Sequence, residues 1–349
     1  MIAPQVSVVI PAYNEQDRIG SAIEAALAQT HSRIEVIVVD DGSSDDTARI
    51  VQEHYPQVVY VHQSNAGPGA ARNRGAELAS GELLAFLDAD DRWVPEKLAR
   101  QIAVMGQRLE REVVGTNALV YDGRHRWFFN NPRRPALIEH TLHDLIWGHE
   151  PYPPSILLRT ELFREVGGYD VSFRARCEDE ELLYRLAGRG HRIVEINEPL
   201  HLWLRKAGSL MSKPTPDIGS NYIDAVGRCE AFVGDEEGAL LSPSQFSFAL
   251  GTRICTVSAA CFRAGRHELG REYARRLDDL PAPGLTHRLL RRTARSSWLL
   301  FGVAANLYQG VYRAMCGYQM WGGVTGALQQ AARRYVLRGS SPVADVQVQ

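Results

Sequence analysis

Three aspartates within four positions are the residues of this chain most suited to chemistry. Asp88, Asp90 and Asp91 directly follow the apolar run Leu83–Leu87. Carboxylates at this spacing repel one another and weaken a strand, so they form either a solvated turn or a site for a positive group. Mg²⁺ or Mn²⁺ would suit them, because these ions take one or two carboxylates and complete their shell with water and substrate phosphates.

Three further polar clusters accompany this acidic turn. They are "PAYNE" at Pro11–Glu15, "DDGSSDD" at Asp40–Asp46 and "CEDEE" at Cys177–Glu181. Taken singly, such clusters are typical of turns, helix caps or solvated helix starts. Three of the four clusters follow apolar strands, however, and their joint occurrence in this order is much less expected of structural turns alone. The set therefore favours a binding site.

The segment "NAGPGAARNRG", residues 65–75, brings positive charge to the set. Gly67 and Gly69 let the backbone approach a ligand closely, and Arg72 follows near the start of a predicted helix, within reach of a phosphate. The alternative is a surface helix with solvated arginines. The chain has no GxGxxG after its first strand and no GxxxxGK[ST], which disfavours a dehydrogenase-type dinucleotide fold and a P-loop NTPase. It has no His/Cys set with zinc spacing either.

The first hundred residues alternate strand and helix patterns that would position these groups. Helices separate four apolar runs, and the runs lack polar alternation, which is typical of strands buried on both faces of a parallel sheet. The carboxyl ends of such strands form a binding crevice. We expect an α/β fold with a mostly parallel sheet covered by helices on both faces. The predicted strands are Val6–Ile10, Ile34–Val39, Val58–Val61 and Leu83–Leu87, and the predicted helices are Ile19–Leu27, Asp45 or Asp46 through Val51, and Pro68–Leu78.

The later part of the chain gives weaker patterns. The Pro- and Ser-rich segment Ser212–Ser220 is the candidate domain boundary. We predict a catalytic domain over residues 1–215 and a mainly helical region over residues 216–349. Within the first domain the predicted strands are Val113–Val120, Ile156–Leu158 and Ile193–Ile196, and the predicted helices are Thr160–Val166 and Asp179–Leu186.

The composition is that of a globular protein with no general affinity for nucleic acid. The 349 residues are 45% hydrophobic and 23% charged, and the net charge is −2. The five cysteines form no CxxC pair, which favours reduced thiols in a cytosolic protein. No signal peptide and no membrane span of roughly 20 apolar residues is evident. We expect a cytoplasmic protein.

The C-terminal tail differs from the rest of the chain in its charge. Between Pro281 and Ala344 it has eight arginines and no acidic residue, and aromatic residues are interspersed among them. This pattern fits an amphipathic segment, residues 285–349, lying on the anionic inner face of a membrane. It fits equally well a helical cap packed on the catalytic domain.

Five segments together resemble family 2 glycosyltransferases of the GT-A fold. They are "SVVIPAYNE", "VVDDGSSDDT", "NAGPGAARNRG", "GELLAFLDADD" and "GGYD…EDEEL", within about the first 210 residues. The resemblance implies an inverting, hexosyltransferase-type enzyme that moves a sugar from a nucleoside-diphosphate sugar to an acceptor hydroxyl with Mg²⁺ or Mn²⁺. The QxxRW segment and membrane spans of processive members are missing, so we expect one sugar per acceptor.

The resemblance also implies roles for individual residues. Residues 1–112 would bind the nucleotide-sugar and residues 113–215 the acceptor. In the first part, Asp41 would accept a hydrogen bond from a uracil base, with Asp40 supporting it. Other residues of the nucleoside pocket would be Pro11, Tyr13 and Glu15.

The remaining roles concern the diphosphate and the reaction. Arg72 and Gly69 would lie along the nucleotide-sugar. Asp90 would be the direct metal ligand, with Asp88 shared between metal and sugar, and Asp91 would be a cap or a supporting residue. Asp179 would be the catalytic base, with Glu178 and Glu180 as competitors. The family's usual histidine after the last strand is absent, so Arg205, Lys206 and Ser209 would serve the diphosphate, while His201 and Trp93 would be structural.

Two other functions stay open at this point. A sugar nucleotidyltransferase also uses a metal and a nucleotide at a sheet edge but would not need the Asp179 carboxylate. The other is a non-catalytic nucleotide-sugar binder, against which the intact DxD pair, Asp88 and Asp90, and the ED pair, Glu178 and Asp179, argue. The favoured donor is a UDP-sugar and the favoured acceptor a carbohydrate or a lipid-linked sugar in cell-surface polysaccharide or glycolipid synthesis. The sequence defines neither the sugar nor the oligomeric state.

Overall fold

The structure is a computed structural model that describes residues 3–106, 112–173, 177–205, 216–234, 239–263, 265–280 and 292. In these residues ten strands form one sheet. The strands are β1 (Val6–Ala12), β2 (Ile34–Asp40), β3 (Val59–His62), β4 (Leu83–Phe86), β5 (Arg92–Trp93), β6 (Glu112–Tyr121), β7 (Arg126–Phe128), β8 (Leu137–His140), β9 (Leu157–Arg159) and β10 (Arg192–Leu204).

Helices cover the sheet and continue beyond it. They are α1 (Ile19–Leu27), α2 (Thr47–His54), α3 (Pro68–Leu78), α4 (Lys97–Met105), α5 (Leu142–Ile146), α6 (Thr160–Glu165), α7 (Glu178–Gly188), α8 (Pro216–Gly227), α9 (Pro243–Arg263) and α10 (His267–Arg275). Short 3₁₀ turns lie at Pro153–Ser155, Arg228–Phe232 and Arg276–Asp279.

The sheet is parallel in its first half and mixed in its second. The order is β3-β2-β1-β4-β9-β6-β10-β5, with β7 beside β6 and β8 beside β10. Strands β3, β2, β1 and β4 run parallel, as do β6 and β10, whereas β5, β7, β8 and β9 pair antiparallel. The predicted fold class is confirmed, with antiparallel strands added to the parallel ones.

Both faces of β1, β2 and β4 are buried, which explains their unbroken apolar runs, whereas β3 at the edge of the sheet is partly exposed. In β1, Val8 and Ile10 belong to one apolar cluster and Val9 to the other, on the opposite face. Helix α1 buries Ile19 and Ile23 against the first cluster. The sheet therefore has a helical layer on each side, as sequences without alternation require.

Helix α3 packs unusually close to the sheet. A Cβ at Gly75 would lie 2.3 Å from a methyl carbon of Val9, so only glycine fits there. The close approach fixes the helix against β1. It thereby sets the depth at which Arg72, one turn earlier in α3, enters the site.

The first helices after residue 215 pack on α7. A Cβ at Gly188 would lie 2.2 Å from the ring of Phe232, and Val226 and Phe246 share an apolar cluster with Leu183. Residues on both sides of the predicted boundary thus contribute to one core. Residues 212–215 of the boundary segment, and the tail from residue 281 apart from Arg292, lie outside the described residues. None of the helices in the described part of the chain has the length and hydropathy needed to cross a bilayer.

Candidate active site

The loops after β1, β2 and β4 lie along one edge of the sheet. The parallel register pairs Ala12 with Asp40 and Val9 with Phe86, so the three strands end side by side. The acidic turn that follows β4 and the two polar clusters that follow β1 and β2 therefore meet, as the sequence predicted.

Hydrogen bonds join the loops after β1 and β2. The amide of Asn14 donates to Ser43 Oγ at 2.9 Å, and the amide of Ser44 donates to Asn14 Oδ1 at 2.8 Å. The amide of Glu15 donates to Thr47 Oγ1 at 2.9 Å. The two loops thus form one braced floor, above which the side chain of Tyr13 is exposed. Pro11 and Glu15, also predicted for the nucleoside pocket, are half-buried beside it.

The carboxylates of Asp40 and Asp41 are buried and accept several hydrogen bonds each. Asp41 Oδ1 accepts from the amide of Ala66 at 2.9 Å and from Gln63 Nε2 at 2.7 Å, and its Oδ2 accepts from the amide of Gly67 at 2.8 Å. Asp40 accepts from the amide of Ser43 and from Tyr60 Oη. Both aspartates therefore hold neighbouring loops in place, a role that the sequence did not predict.

Gly69 lies at the contact between α3 and the start of α7. A Cβ at this position would lie 3.4 Å from Tyr169 Cβ and 3.7 Å from Glu178 Cγ. Because Gly69 has no side chain, α3 can approach α7 closely. This close approach brings Arg72 and Glu178 together.

Arg72 connects the acidic turn to the "ED" pair at the start of α7. Its Nη2 donates to Asp88 Oδ1 at 2.7 Å and its Nη1 donates to Glu178 Oε1 at 2.9 Å. The same Nη1 lies 3.5 Å from Asp179 Oδ1, and the guanidinium faces the ring of Tyr169. Arg72 is buried, which excludes the solvated-helix alternative, whereas Arg74 is exposed and pairs with Glu77 at 2.8 Å.

The three acidic residues at the start of α7 have different environments. Glu178 is bound by Arg72, and Glu180 faces the hydroxyl of Tyr222 at 3.5 Å. Asp179 Oδ1 is buried and accepts no hydrogen bond from the described residues. Of the three, Asp179 thus has the carboxylate least committed to protein partners.

The environment of Asp179 raises its pKa to about 7. Burial is the largest cause; Arg72 lowers the pKa, and the negative charges of Glu178 and Asp88 raise it. A carboxylate with a pKa near neutrality is suited to taking up a proton as a general base. Burial thus contributes more to the raised pKa of Asp179 than the neighbouring carboxylates do.

Asp90 carries the least compensated negative charge of the acidic turn. Burial, Asp91, Asp88 and Glu15 raise its pKa to about 7, while Arg18, 3.7 Å away, lowers it. A nearby cation would favour the ionised form. The environment of Asp90 therefore fits a ligand of positive charge.

The donor set fits a hard dication that is held mainly by its substrate. No group of three or more His, Cys, Asp or Glu side chains with metal-binding geometry occurs within the described residues. Mg²⁺ needs only one or two protein carboxylates when phosphates and water supply the other ligands. Asp90 and the oxygen of Asp88 that does not face Arg72 meet that requirement.

Asp91 points away from this group and into the protein. Its carboxylate is buried and accepts hydrogen bonds from His201 Nε2 at 2.8 Å, Tyr152 Oη at 3.2 Å and the amide of Leu204 at 3.0 Å. Trp93 is buried beside it, as predicted. Tyr152 had no signal in the sequence, because its partner is 61 residues away.

Arg205 lies at the end of β10 among aromatic rings. Its guanidinium is 5.5 Å from the ring centre of Trp203 and 5.9 Å from that of Trp127. The predicted diphosphate contact of Arg205 thus stays a prediction. Lys206 and Ser209 lie outside the described residues. Sequence reasoning missed Arg18, which faces Asp90, and the role of Glu178 as the partner of Arg72.

The parallel-sheet edge with its acidic turn and separate carboxylate is what the resemblance to family 2 glycosyltransferases implies. Comparisons with known proteins test the family and the fold. The model of "Glycosyl transferase family 2" matches residues 7–167. Glycosyltransferase GlyG of Streptococcus pneumoniae is 31% identical over 222 residues, which cover 59% of this chain and 72% of that protein. An uncharacterised glycosyltransferase of Rickettsia typhi is 33% identical over 181 residues, 49% of this chain and 55% of that protein.

The fold also matches a solved structure. TarS 1–349 of S. aureus superposes with a TM-score of 0.65 and 19% identity, covering 88% of this chain and 91% of that one. The chain belongs to glycosyl transferase family 2 and has a GT-A-like fold. It spans little more than half the length of the Rickettsia relatives.

Proposed function

We propose that this protein is an inverting glycosyltransferase that transfers a single sugar from a UDP-sugar to an acceptor hydroxyl with Mg²⁺ or Mn²⁺. The observation that carries the proposal is the position of Arg72. It contacts Asp88 of the acidic turn at 2.7 Å and lies 3.5 Å from Asp179, whose Oδ1 has no hydrogen-bond donor among the described residues. Arg72 thus lies between two groups of carboxylates. Asp88 and the acidic turn would hold the metal ion that binds the diphosphate, and Asp179 would face the acceptor hydroxyl.

Asp179 would act as the base. It would take the proton of the acceptor hydroxyl while the hydroxyl oxygen forms its bond to the anomeric carbon. The bond from that carbon to the diphosphate breaks, and its electron pair leaves with the diphosphate. The metal ion, held by Asp90 and Asp88, would supply positive charge for the departing phosphate oxygens. Arg72 would keep the two carboxylate groups at a fixed separation.

The choice of a uridine donor is supported by the nucleoside side of the edge and by a relative. TarS of S. aureus, whose fold this chain shares, has been solved in complex with UDP-GlcNAc and with UDP. Tyr13 is exposed and Pro11 and Glu15 are half-buried, so a nucleoside can reach these three side chains. Asp41 has three donors already and retains room for one more hydrogen bond, from the base.

The acceptor side is proposed from the resemblance to the family. Residues 113–215 would bind a carbohydrate or lipid-linked acceptor in cell-surface polysaccharide or glycolipid synthesis, and residues 216–349 would form the helical region. We also propose that residues 285–349 make peripheral contact with the inner face of the cytoplasmic membrane, since their arginines and aromatics suit anionic lipid.

The test is a donor-hydrolysis screen over UDP-, dTDP- and GDP-sugars, with and without Mn²⁺, on the wild type and Asp179→Asn. We expect UDP-sugar turnover that requires Mn²⁺ and falls by about 10²–10⁴-fold in the variant, because general-base catalysis contributes that much. The matched control is Asp224→Asn, which removes an exposed carboxylate paired with Arg276. UDP-sugar binding without turnover in any condition would favour a non-catalytic binder, and full activity of Asp179→Asn would rule out the proposed base.

A further inference from the structure

The carboxylate of Asp91 ties the acidic turn to distant parts of the chain. Its three donors, Leu204, Tyr152 and His201, come from β10 and from the segment before β9. Asp91 also donates its own amide to the carbonyl of Asp88 at 3.0 Å, which closes the turn. The side chain of Asp91 is therefore an anchor for the backbone that carries Asp88 and Asp90.

The hydrogen bonds around His201 define its tautomer. Trp93 Nε1 lies 3.2 Å from His201 Nδ1, and an indole nitrogen can only donate. Nδ1 is therefore the acceptor, and the proton is on Nε2, from which it is donated to Asp91 Oδ2 at 2.8 Å. Trp93 thus holds His201 in the one neutral form that can bind the Asp91 carboxylate.

Strand pairing keeps this arrangement in register. Residues His201 and Leu202 of β10 pair antiparallel with Trp93 and Arg92 of β5, directly after the acidic turn. His201 and Asp91 are both fully enclosed, with side-chain exposures of 0% and 1%. Water does not compete for these hydrogen bonds, so the anchor is rigid.

We propose that Tyr152, Trp93 and His201 are positioning residues that hold Asp91 and so place Asp90 and Asp88 to receive the metal–diphosphate. The inference rests on the proposed metal-dependent transfer. Its physical reason is that Asp88 and Asp90 repel each other and, unanchored, would move apart in the absence of the cation. A turn anchored in advance need not be reorganised when the cation binds, and residues that orient ligands in this way affect metal affinity.

The test uses two substitutions that keep an aromatic ring and remove one donor. Tyr152→Phe removes the hydroxyl that bonds Asp91, and Trp93→Phe removes the N–H that fixes His201. Tyr55→Phe is the matched control, because its hydroxyl bonds Glu24 on the helix pair α1–α2. Mn²⁺ affinity is measured by titration calorimetry in the presence of UDP, and UDP affinity is measured separately in EDTA.

We expect Mn²⁺ affinity to fall by roughly tenfold in each of the first two variants, at the lower end of the range for residues that support metal ligands. UDP affinity in EDTA and Mn²⁺ affinity of Tyr55→Phe stay at wild-type levels. Equal losses of UDP and Mn²⁺ binding would indicate general disruption and overturn the inference, as would wild-type Mn²⁺ affinity in both variants.

The same experiment separates this inference from the proposed function. Wild-type protein that binds Mn²⁺ with UDP supports metal use whatever the variants do. Wild-type protein that binds UDP but no Mn²⁺ overturns metal-dependent transfer and the positioning role together.

Discussion

The acidic turns after β2 and after β4 have similar sequences and opposite environments. Asp40 and Asp41 accept five hydrogen bonds from their own turn, from β3 and from the loop after β3, so their negative charge is stabilised within the protein. Asp90 has one arginine at 3.7 Å and three acidic neighbours that raise its pKa. The first turn builds the floor of the site, whereas the second leaves negative charge for a ligand to compensate.

The comparison shows that acidic residues alone do not identify a reactive site. The number of hydrogen-bond donors around each carboxylate distinguishes a structural carboxylate from one that can bind a ligand. A buried carboxylate with three donors stabilises the fold, since leaving those donors unpaired is costly. A carboxylate with few donors beside other negative charges destabilises the protein until a positively charged ligand binds to it. Asp91 shows that both kinds occur within one turn, because it is saturated while its neighbour Asp90 is not.

The strongest test of this contrast is Asp90→Asn. We expect metal-dependent transfer to fall by a factor on the order of 10³, because charge stabilisation by a metal contributes several kcal/mol. The melting temperature should not fall, since the substitution relieves repulsion with Asp88, Asp91 and Glu15. Transfer assays with Mn²⁺ and thermal unfolding measure the two effects. Surviving activity would mean that Asp90 is not the metal ligand.

The pH dependence of the rate tests the base. Asp179 must be ionised to accept a proton, and its pKa is raised to about 7. We therefore expect kcat/KM to fall about tenfold for each pH unit below 7 and to level off above it. The assay uses saturating Mn²⁺ and wild-type protein. If the rate is constant between pH 5 and 7, the group that takes the proton is not Asp179 with a raised pKa.

The smallest expected effect is on stability, from Asp41→Asn. The amide nitrogen of asparagine would face at least one of the three N–H donors, so we expect a loss of about 1–3 kcal/mol in the free energy of unfolding. Urea unfolding of Asp41→Asn and Asp90→Asn side by side measures the contrast. If Asp41→Asn keeps wild-type stability but loses UDP affinity, base recognition rather than loop bracing is the main role of Asp41.

Local signals in the sequence predicted the first half of the fold closely. The bounds of α1 and α3 agree with the predicted helices, because apolar spacing and the proline at the start of α3 define them. Strands β5, β7 and β8 were not predicted, since each has only two to four residues and none is a continuous apolar run. The antiparallel direction of β9 could not be predicted either, because an apolar run does not specify which strand it pairs with or in which direction.

The sequence by itself determined the family, the sheet edge and the candidate residues Asp88, Asp90 and Asp179, because residue type and spacing are local properties. Only the tertiary structure decided which carboxylates are compensated. That depends on donors brought from far along the chain, such as Arg72 for Glu178, 106 positions away, and His201 for Asp91, 110 positions away. Burial and charge pairing are set by these contacts, and with them the division between structural and chemical aspartates.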